Sequence, residues 1–296
     1  MSSSSPISSE GPPESLRSSD VDVVVVGAGF AGMYMLHRLR MCGYSVRVFE
    51  AGTDVGGTWY WNRYPGARCD VESLEYSYSF DTDLEQQWEW TERYSGQPEI
   101  LAYAKHVADR FDLRSDIRFE TRVEKADFDE SGNSWRIETS DGEITVSRFF
   151  VMATGCLSST TLPDIAGIED FEGTTVHTGQ WPKEGVQLEG KRVAIIGTGS
   201  SGVQAIPVIA EQCEELTVFQ RTPQYTIPAR NEPLEAARQV DVKSRYKEFR
   251  EANFAMPQAL GSEIPKFNDS IHEVSEEERL ERFEQAWERG GTLFMA

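Results

Sequence analysis

The chain has 296 residues, of which 49 are acidic and 29 basic, and its formal net charge at pH 7 is −20. Nucleic acids and anionic membrane surfaces both require a basic patch, so this charge argues against either as a partner. The length favours two domains, each large enough for its own core, and the sequence holds no apolar stretch long enough to span a bilayer.

The four cysteines, Cys42, Cys69, Cys156 and Cys213, are scattered without paired spacing. This pattern indicates a reducing compartment and argues against structural zinc. It also argues against a redox-disulfide flavoprotein, which needs two nearby cysteines. Residues 1–20 are rich in Ser and Pro and lack an apolar signal core, so we predict a disordered tail and a cytoplasmic protein.

The first predicted strand begins at Val21 and runs into a glycine fingerprint, Gly27-Ala-Gly29-Phe-Ala-Gly32, followed by a helix over Met33–Met41. Such glycines permit a tight turn and close approach to a pyrophosphate, which lies at the helix N-terminus. Glu50 follows Gly27 by 23 residues and ends the predicted strand Tyr44–Glu50. A carboxylate there accepts the ribose hydroxyls of a dinucleotide without a 2′-phosphate. The sequence therefore predicts a site for FAD or NAD. Its expected contacts in the fingerprint are Gly27, Gly29, Phe30, Ala31 and Gly32.

The next part of the chain combines an aromatic-rich stretch, Trp59–Tyr94, with a helix near Pro98–Arg110. Alternating patterns and turn signals then predict short strands around Ile117–Glu120, Arg122–Phe128, Ser134–Thr139 and Glu143–Met152. The last strand ends in Ala153-Thr-Gly155. A small antiparallel meander inserted into a dinucleotide-binding domain and closed by Ala-Thr-Gly resembles the FAD domain of two-dinucleotide flavoproteins.

A second fingerprint, Gly197-Thr-Gly199-Ser-Ser-Gly202, follows the predicted strand Arg192–Ile196 and precedes a helix over Val203–Ile209. At the position of the acid stands Gln220, and Arg221 and Thr222 offer a cation and a hydroxyl for a 2′-phosphate. An ordinary surface role for Arg221 is the alternative. The expected NADP contacts are Thr198, Gly199, Ser200, Ser201, Gly202, Val203, Gln204, Arg221 and Thr222. Two dinucleotides in one chain predict electron transfer.

Beyond Pro233 the pattern is helical. Ser275-Glu-Glu-Glu278 is a capping box, Leu280, Phe283 and Trp287 share one helix face, and Gly290-Gly291 is a stop signal. The second unit offers only two clear parallel strands, Arg192–Ile196 and Leu216–Phe219, too small a sheet to be stable alone. We therefore expect a fragment of a longer protein. The expected divisions are an FAD-binding domain at 21–155, a linker at 156–190, a partial NADP-binding domain at 191–231 and a truncated helical region at 232–296.

Two motifs identify a family. Residues 171–182, Phe-Glu-Gly-Thr-Thr-Val-His-Thr-Gly-Gln-Trp-Pro, match the Phe-x-Gly-x3-His-x3-Trp-Pro fingerprint of type I Baeyer–Villiger monooxygenases. Residues 57–70 match the second signature of that family, Gly-x-Trp-x4-Tyr-Pro-Gly-x3-Asp. N-hydroxylating and sulfur-oxidising flavin monooxygenases resemble the first fingerprint but usually lack its Trp-Pro ending. Within the family, the chain looks closest to the branch that acts on phenyl ketones, large rings and steroids.

The resemblance implies an α/β fold with two Rossmann-like domains, for FAD and NADP, together with a small antiparallel meander and a helical insertion. It also implies a reaction. NADPH reduces FAD, the reduced flavin captures O2 as a C4a-peroxide, and its attack on a ketone inserts one oxygen to give an ester or lactone. Such a site must exclude water. The alternatives left open are N- or S-oxidation, a simple NADPH oxidase, and a non-catalytic nucleotide-binding fragment.

The resemblance further assigns two residues to the catalytic machinery, Asp70 and His177. Asp70 is implied to lie beside the flavin and to pair with an arginine expected beyond Ala296; an N-cap of a helix beginning at Val71 is the alternative. His177 is implied to act in the linker as a conformational residue, not as a general base. Arg68 lies two residues from Asp70, and from that position we expect it to touch nicotinamide or phosphate. The further cofactor contacts are Gly56, Gly57, Thr58, Trp59, Arg68, Cys69 and Asp70, with Tyr76 and Val123 added on resemblance alone. Tyr60 and Tyr64 are expected to be core aromatics.

Overall fold

The computed structural model describes residues 20–264 and 270–291. All of the predicted disordered tail except Asp20 lies outside these ranges, as do residues 292–296. The described residues form two compact units. The first comprises residues 20–63 and Leu101–Glu184, and the second comprises Tyr64–Ile100 and the described residues from Gly185 onward.

Strands and helices alternate through much of the chain. The strands of the described residues are β1 (Val21–Val26), β2 (Val46–Phe49), β3 (Ile117–Arg118), β4 (Val123–Asp129), β5 (Ser134–Thr139), β6 (Ile144–Met152), β7 (Arg192–Ile196) and β8 (Glu215–Phe219). The helices are α1 (Phe30–Met41), α2 (Thr58–Trp61), α3 (Thr82–Gln87), α4 (Gln97–Arg110), α5 (Ser200–Ala210), α6 (Ala236–Ser244), α7 (Tyr246–Phe254) and α8 (Glu276–Arg289). The predicted α/β class is confirmed.

The first unit is built on one six-stranded sheet in the order β3-β2-β1-β6-β5-β4. Strand β1 lies parallel to β2 and β6, whereas β4, β5 and β6 run antiparallel to their neighbours in the meander. Strand β6 joins both parts, because its residues from Ser147 onward pair with β1 while Ile144–Ser147 pair with β5. The meander is therefore continuous with the parallel sheet.

The core of the first unit explains its unbroken valine run. Val23 and Val25 pack with Met33, Leu36 and other residues of one cluster. Val24 faces the opposite side of the sheet and packs with Phe49 and Ile137. A strand that lies in a sheet covered on both faces reads as a continuous apolar segment, as β1 does.

The second unit contains the two-stranded parallel sheet of β7 and β8. Its strand ends are open, since Ile196 is 69% exposed and Phe219 is 56% exposed. Helices α6 and α7 bury Val242, Tyr246 and Phe249. This exposure agrees with the expectation that so small a sheet needs further structure to cover it.

The predicted ends of several elements shift in the structure. The Ser275 hydroxyl accepts a hydrogen bond from the Glu278 N–H at 3.2 Å, which confirms Ser275 as the N-cap of α8. Strand β3 begins at Ile117 as predicted and pairs in parallel with β2, but it stops at Arg118. Glu120 adopts a φ of +53° that takes the backbone out of the extended region. The helix considered after Asp70 is absent, because residues 71–78 form turns and bends. Asp70 is therefore not its N-cap.

Among the described residues, the helices are all too short or too polar to cross a membrane.

Candidate dinucleotide-binding sites

The first fingerprint is packed against the end of β6. Gly27 has a φ of +100°, and a Cβ at this position would lie 2.7 Å from the Ala153 carbonyl oxygen. A Cβ on Gly32 would lie 1.8 Å from the Gly27 carbonyl oxygen. Two of the three glycines are thus required by the protein itself. The small residues of the predicted Ala153-Thr-Gly155 segment permit the same close packing.

Glu50 closes this turn from the adjacent strand. Glu50 is 5% exposed, and its carboxylate accepts two backbone hydrogen bonds of 2.7 Å, from Ala28 N–H to Oε2 and from Gly52 N–H to Oε1. These charge-assisted bonds offset the cost of burying the carboxylate. A carboxylate offers about four lone-pair directions, so two remain for the hydroxyls of a ribose.

Gly56 and Gly57 bring a second backbone segment to the fingerprint. Gly57 has a φ of +53°, and a Cβ on it would lie 2.7 Å from the Gly29 Cα. Gly56 has a φ of +122° and lies against Leu101. Gly29 is the N-cap of α1 and carries no side chain that could cap the helix. The N–H groups of its first turn therefore remain available for a pyrophosphate, which fits the expected FAD.

The other predicted FAD contacts fall into different parts of the molecule. Trp59 is buried and lies in α2, with Thr58 at its start, and Val123 is half-buried at the start of β4. Arg68, Cys69, Asp70 and Tyr76 belong to the second unit.

The second fingerprint forms a more open turn. Gly197 has a φ of +102°, and a Cβ on Gly202 would lie 2.5 Å from the Gly197 carbonyl oxygen. A Cβ on Gly199 would meet no atom of the described residues within 4 Å. Backbone strain explains why position 197 is glycine, and packing explains Gly202. Neither reason applies to Gly199. A ligand that approaches the N-terminus of α5 would explain it, as NADP does.

The end of β8 lies beside this turn. Gln220 Nε2 donates a 2.8 Å hydrogen bond to the Thr198 hydroxyl. The corresponding residue of the first unit is Glu50, whose carboxylate accepts from the backbone. Arg221 and Thr222 follow and are exposed. Within the described ranges, the Arg221 guanidinium has no ion-pair partner, so its charge is available for an anionic ligand such as a 2′-phosphate.

Gln204, which the sequence predicts as an NADP contact, makes side-chain hydrogen bonds within the protein. Its Oε1 accepts from the Tyr64 hydroxyl at 2.9 Å and from the Arg68 N–H at 3.3 Å, and its Nε2 donates to the Arg68 carbonyl at 3.1 Å. The amide is thus bound to protein groups. Tyr64 is half-buried and makes this hydrogen bond, so it is not the plain core aromatic that we expected. Tyr60 is buried, as expected.

Arg68 is held by its own neighbours. Its Nη1 donates to Glu92 Oε2 and to the Tyr94 carbonyl, each at 2.7 Å. Burial raises the pKa of Glu92, but hydrogen bonds from Arg68 and Asn231 outweigh it, so the pKa lies below its ordinary value. Cys69 is buried, which raises the pKa of its thiol to about 11 and keeps it neutral. Cys69 can therefore contact a cofactor but does not act as a nucleophile.

Asp70 is the exposed residue of this segment. No described residue donates a hydrogen bond or ion pair to its carboxylate. The charge is therefore free to interact with a ligand or with a cation from elsewhere in the protein. Tyr76 is half-buried six residues further along the chain.

His177 has a clear structural role. Its Nδ1 accepts a 3.0 Å hydrogen bond from the Gly179 N–H and begins the short 3-10 turn Thr178–Gln180. A ring nitrogen that accepts from an N–H carries no proton itself. This geometry agrees with a conformational residue and provides no partner for proton transfer at Nδ1.

Lys183 contacts the loop that follows Glu50, a contact that the sequence does not predict. Its Nζ donates to the Thr53 hydroxyl at 3.1 Å and lies 5.0 Å from the centre of the Tyr60 ring. Burial raises the pKa of Tyr60, but hydrogen bonds from Lys183 and Thr53 outweigh it and lower the pKa. The signal was its place directly after Trp181-Pro182, where it ties the fingerprint to the loop that follows Glu50.

A family model described as pyridine nucleotide-disulphide oxidoreductase matches residues 24–282. The match covers both fingerprints and most of the chain. The chain belongs to this family. Despite the family's description, all four cysteines are free.

Relatives within the family include a Baeyer–Villiger monooxygenase from Pseudooceanicola batsensis and a phenazine N-monooxygenase from Lysobacter antibioticus. Each is 45% identical to the chain over 276 residues, which are 93% of this chain and 50% of the relative. A solved structure described as oxidized steroid monooxygenase bound to NADP is 54% identical, with a TM-score of 0.88, over 93% of this chain and 52% of its own. The resemblance to Baeyer–Villiger monooxygenases is confirmed. The chain spans about half the length of the relatives it matches.

Proposed function

We propose that the protein is a flavin-dependent monooxygenase that uses NADPH and O2 to insert an oxygen next to a ketone carbonyl, giving an ester or lactone. The observation that carries the proposal is a pair of dinucleotide sites whose residues at the ribose position carry opposite charges. One presents the buried Glu50 carboxylate, and the other presents the exposed Arg221 cation. A chain with both can hold an unphosphorylated and a 2′-phosphorylated dinucleotide together.

The first unit would hold FAD. Backbone N–H groups at the start of α1 would bind the pyrophosphate, and Glu50 would accept the ribose hydroxyls. Gly57 lies close to Gly29, and because neither residue has a side chain, the space for the pyrophosphate at the start of α1 stays open. When bound, FAD supplies the two-electron and O2 chemistry that no side chain provides.

The second unit would hold NADPH. The open space beside Gly199 supports a bound pyrophosphate, and Arg221 with Thr222 would contact the 2′-phosphate. Gln220 carries no negative charge, so it does not repel the 2′-phosphate. These contacts would select NADPH over NADH.

Asp70 is proposed as the catalytic residue of this chain. Its exposed carboxylate would orient an arginine supplied by the rest of the protein, whose charge would stabilise the oxyanion formed on the ketone. The free state of the carboxylate within the described ranges supports this role. His177 is proposed as a conformational residue of the fingerprint.

A ketone is the favoured substrate because the Trp181-Pro182 ending and the Baeyer–Villiger relative both support it. The phenazine N-monooxygenase relative makes an aromatic ring nitrogen the rival acceptor. Steady-state turnover of the full-length protein with NADPH and isotopically labelled O2 distinguishes them. A labelled ester or lactone from a panel of phenyl, cyclic and steroid ketones supports the proposal. A labelled N-oxide from phenazine alone, or hydrogen peroxide alone, overturns it.

We further propose a cytoplasmic location, with ketone and O2 as the reaction partners. Four free cysteines are typical of a reducing compartment, where NADPH is also abundant. Cell fractionation of the native host with an antibody to the protein tests the location. Recovery in a membrane or secreted fraction would contradict it.

A further inference from the structure

The Gln204 side chain makes three hydrogen bonds to one short segment of the chain. Its oxygen accepts from the Tyr64 hydroxyl and the Arg68 N–H, and its nitrogen donates to the Arg68 carbonyl. A backbone N–H and a backbone carbonyl fix which end of the amide is oxygen, so only one orientation satisfies both. The partners lie 136 and 140 residues away in sequence, which makes this a tertiary clamp.

Packing at Gly66 makes the clamp close-fitting. Gly66 has a φ of +80°, and a Cβ on it would lie 2.3 Å from the Gln204 carbonyl oxygen and 3.0 Å from Val208 Cγ2. Gln204 and Val208 are one turn apart on α5. The segment 64–68 therefore lies directly on the surface of α5, and a side chain at position 66 would lift it off.

The clamp ends two residues before Asp70. The Cys69 N–H donates to the Ser95 carbonyl at 3.1 Å, and the Ser73 N–H donates to the Arg93 carbonyl at 2.8 Å. The backbone on both sides of Asp70 is thus fixed, while the Asp70 side chain is exposed. The contact of Arg68 with Gln204 lies on the same short backbone segment as that carboxylate.

Gln204 also lies in the helix whose N-terminus forms the second fingerprint. Helix α5 begins at Ser200, directly after the N-cap Gly199. We propose that Gln204 is a positioning residue that couples occupancy of the nicotinamide-nucleotide fingerprint to the position of Asp70, rather than a direct contact of the nucleotide. The inference rests on the proposed function, because it assigns a role to Gln204 in the same reaction.

The two roles of Gln204 predict different kinetics. Loss of a direct nucleotide contact raises the KM for NADPH and leaves kcat unchanged. Loss of positioning lowers kcat, because a small displacement of a catalytic group costs up to about 100-fold in rate. Since Gln204 would act through Asp70, its effect vanishes when Asp70 is already absent.

Gln239 provides a matched control in the same unit. Its Oε1 accepts from the Trp90 N–H at 3.1 Å, and its Nε2 donates to the Trp90 carbonyl at 2.9 Å. Gln239→Ala therefore removes the same kind of amide clamp from Trp90, which lies 20 residues from Asp70 in sequence, whereas Arg68 lies two residues from it. It separates a general loss of stability from a loss of positioning.

The kinetic test uses the full-length holoenzyme. We expect Gln204→Ala to lower kcat for ester formation by about 10- to 100-fold with less than about a threefold change in the KM for NADPH. Asp70→Ala and the double variant should be equally slow. Additive losses, or a change in KM alone, would overturn the proposal. Tyr64→Phe keeps both bonds to Arg68 and should show a smaller loss of the same kind, which covers the case in which Gln204→Ala does not fold.

A second readout needs no substrate. In the full-length protein, NADP+ should slow amide hydrogen exchange in residues 64–70, and it should do so equally in Gln239→Ala. In Gln204→Ala this slowing should be lost although NADP+ still binds, as measured by calorimetry. If the slowing persists in Gln204→Ala, the coupling does not run through Gln204. This measurement remains decisive even if no ketone is oxygenated, so failure of the proposed function and failure of this inference are distinguishable.

Discussion

Glu50 accepts a 2.7 Å hydrogen bond from the backbone N–H of Ala28, the residue between the first two glycines of its fingerprint. The same carboxylate accepts from Gly52 on its other oxygen. One buried acid therefore holds the phosphate-binding turn against the loop that follows β2. This arrangement links the stability of the turn to its affinity for FAD.

Glu50→Gln should weaken FAD binding. One amide oxygen can still accept a backbone hydrogen bond, but the amide nitrogen faces the second N–H, which loses its acceptor. That unsatisfied donor destabilises the protein with or without FAD, whereas the ribose hydroxyls lose an ionised acceptor only in the complex. Hydrogen bonds to charged groups contribute about 1.5–3 kcal/mol, which corresponds to a roughly 10- to 150-fold higher Kd for FAD. Fluorescence titration of the apoprotein with FAD measures this Kd. Glu143→Gln changes an exposed carboxylate of the same unit and should alter the Kd by less than about twofold. Equal Kd values for both variants would contradict the assignment of Glu50.

Arg221→Ala should weaken NADPH binding much more than NADH binding, because only NADPH carries the 2′-phosphate. Hydrogen bonds to charged groups contribute about 1.5–3 kcal/mol, so the KM for NADPH should rise roughly 10- to 150-fold. Arg192→Ala removes an exposed arginine from the opposite end of the same sheet and controls for net charge. Equal effects of Arg221→Ala on NADPH and NADH would remove the phosphate argument.

Asp70→Ala should retain FAD but lose most product formation in the full-length protein. Asp70 is exposed and unpaired in the described structure, so we expect the free energy of unfolding to change by less than about 0.5 kcal/mol. Loss of an electrostatic partner in the reaction should lower ester formation by about 100-fold or more, and should also slow flavin reduction. Product analysis and flavin content check both parts. Unchanged ester formation would end the catalytic assignment.

Glu75→Gln should raise stability more at pH 8 than at pH 5. Burial raises the pKa of Glu75 above its ordinary value of 4.5, and the charge of Glu72 adds to the rise. The folded state therefore binds the proton more tightly than the unfolded state, and stability falls as the pH rises from 4.5 through the folded pKa. Glutamine keeps an acceptor for the Gly261 N–H without this loss. The prediction is checked by measuring the Tm of Glu75→Gln and of the exposed control Glu189→Gln at pH 5 and pH 8. A gain in Tm that is equal at both pH values would contradict it.

The repeated elements were the part of the fold that the sequence predicted well. Strand β7 was predicted at its observed bounds, and helices α1 and α5 were predicted three residues short at their N-termini. Glycine-rich turns and valine runs are local signals, because each residue type answers a backbone or burial requirement at its own position. The pairing of β6 with both β1 and β5 could not be predicted, since it depends on which strands meet in space.

The same distinction applies to the candidate sites. The positions of Glu50 and Gln220 follow from counting along two similar motifs. The clamp of Gln204 on Arg68 joins residues 136 positions apart, and no short-range pattern encodes such a contact. The partners of Arg68, which are Glu92 and the Tyr94 carbonyl, were likewise hidden. Geometry therefore changed the interpretation of the residues whose neighbours are distant in sequence.

Anaerobic mixing of the FAD-loaded full-length protein with NADPH, followed by flavin absorbance, tests the proposed function most directly. Two specific dinucleotide sites predict rapid bleaching with NADPH and much slower bleaching with NADH at the same concentration. A protein that holds FAD but does not bleach with NADPH, or bleaches equally fast with both nucleotides, would contradict it.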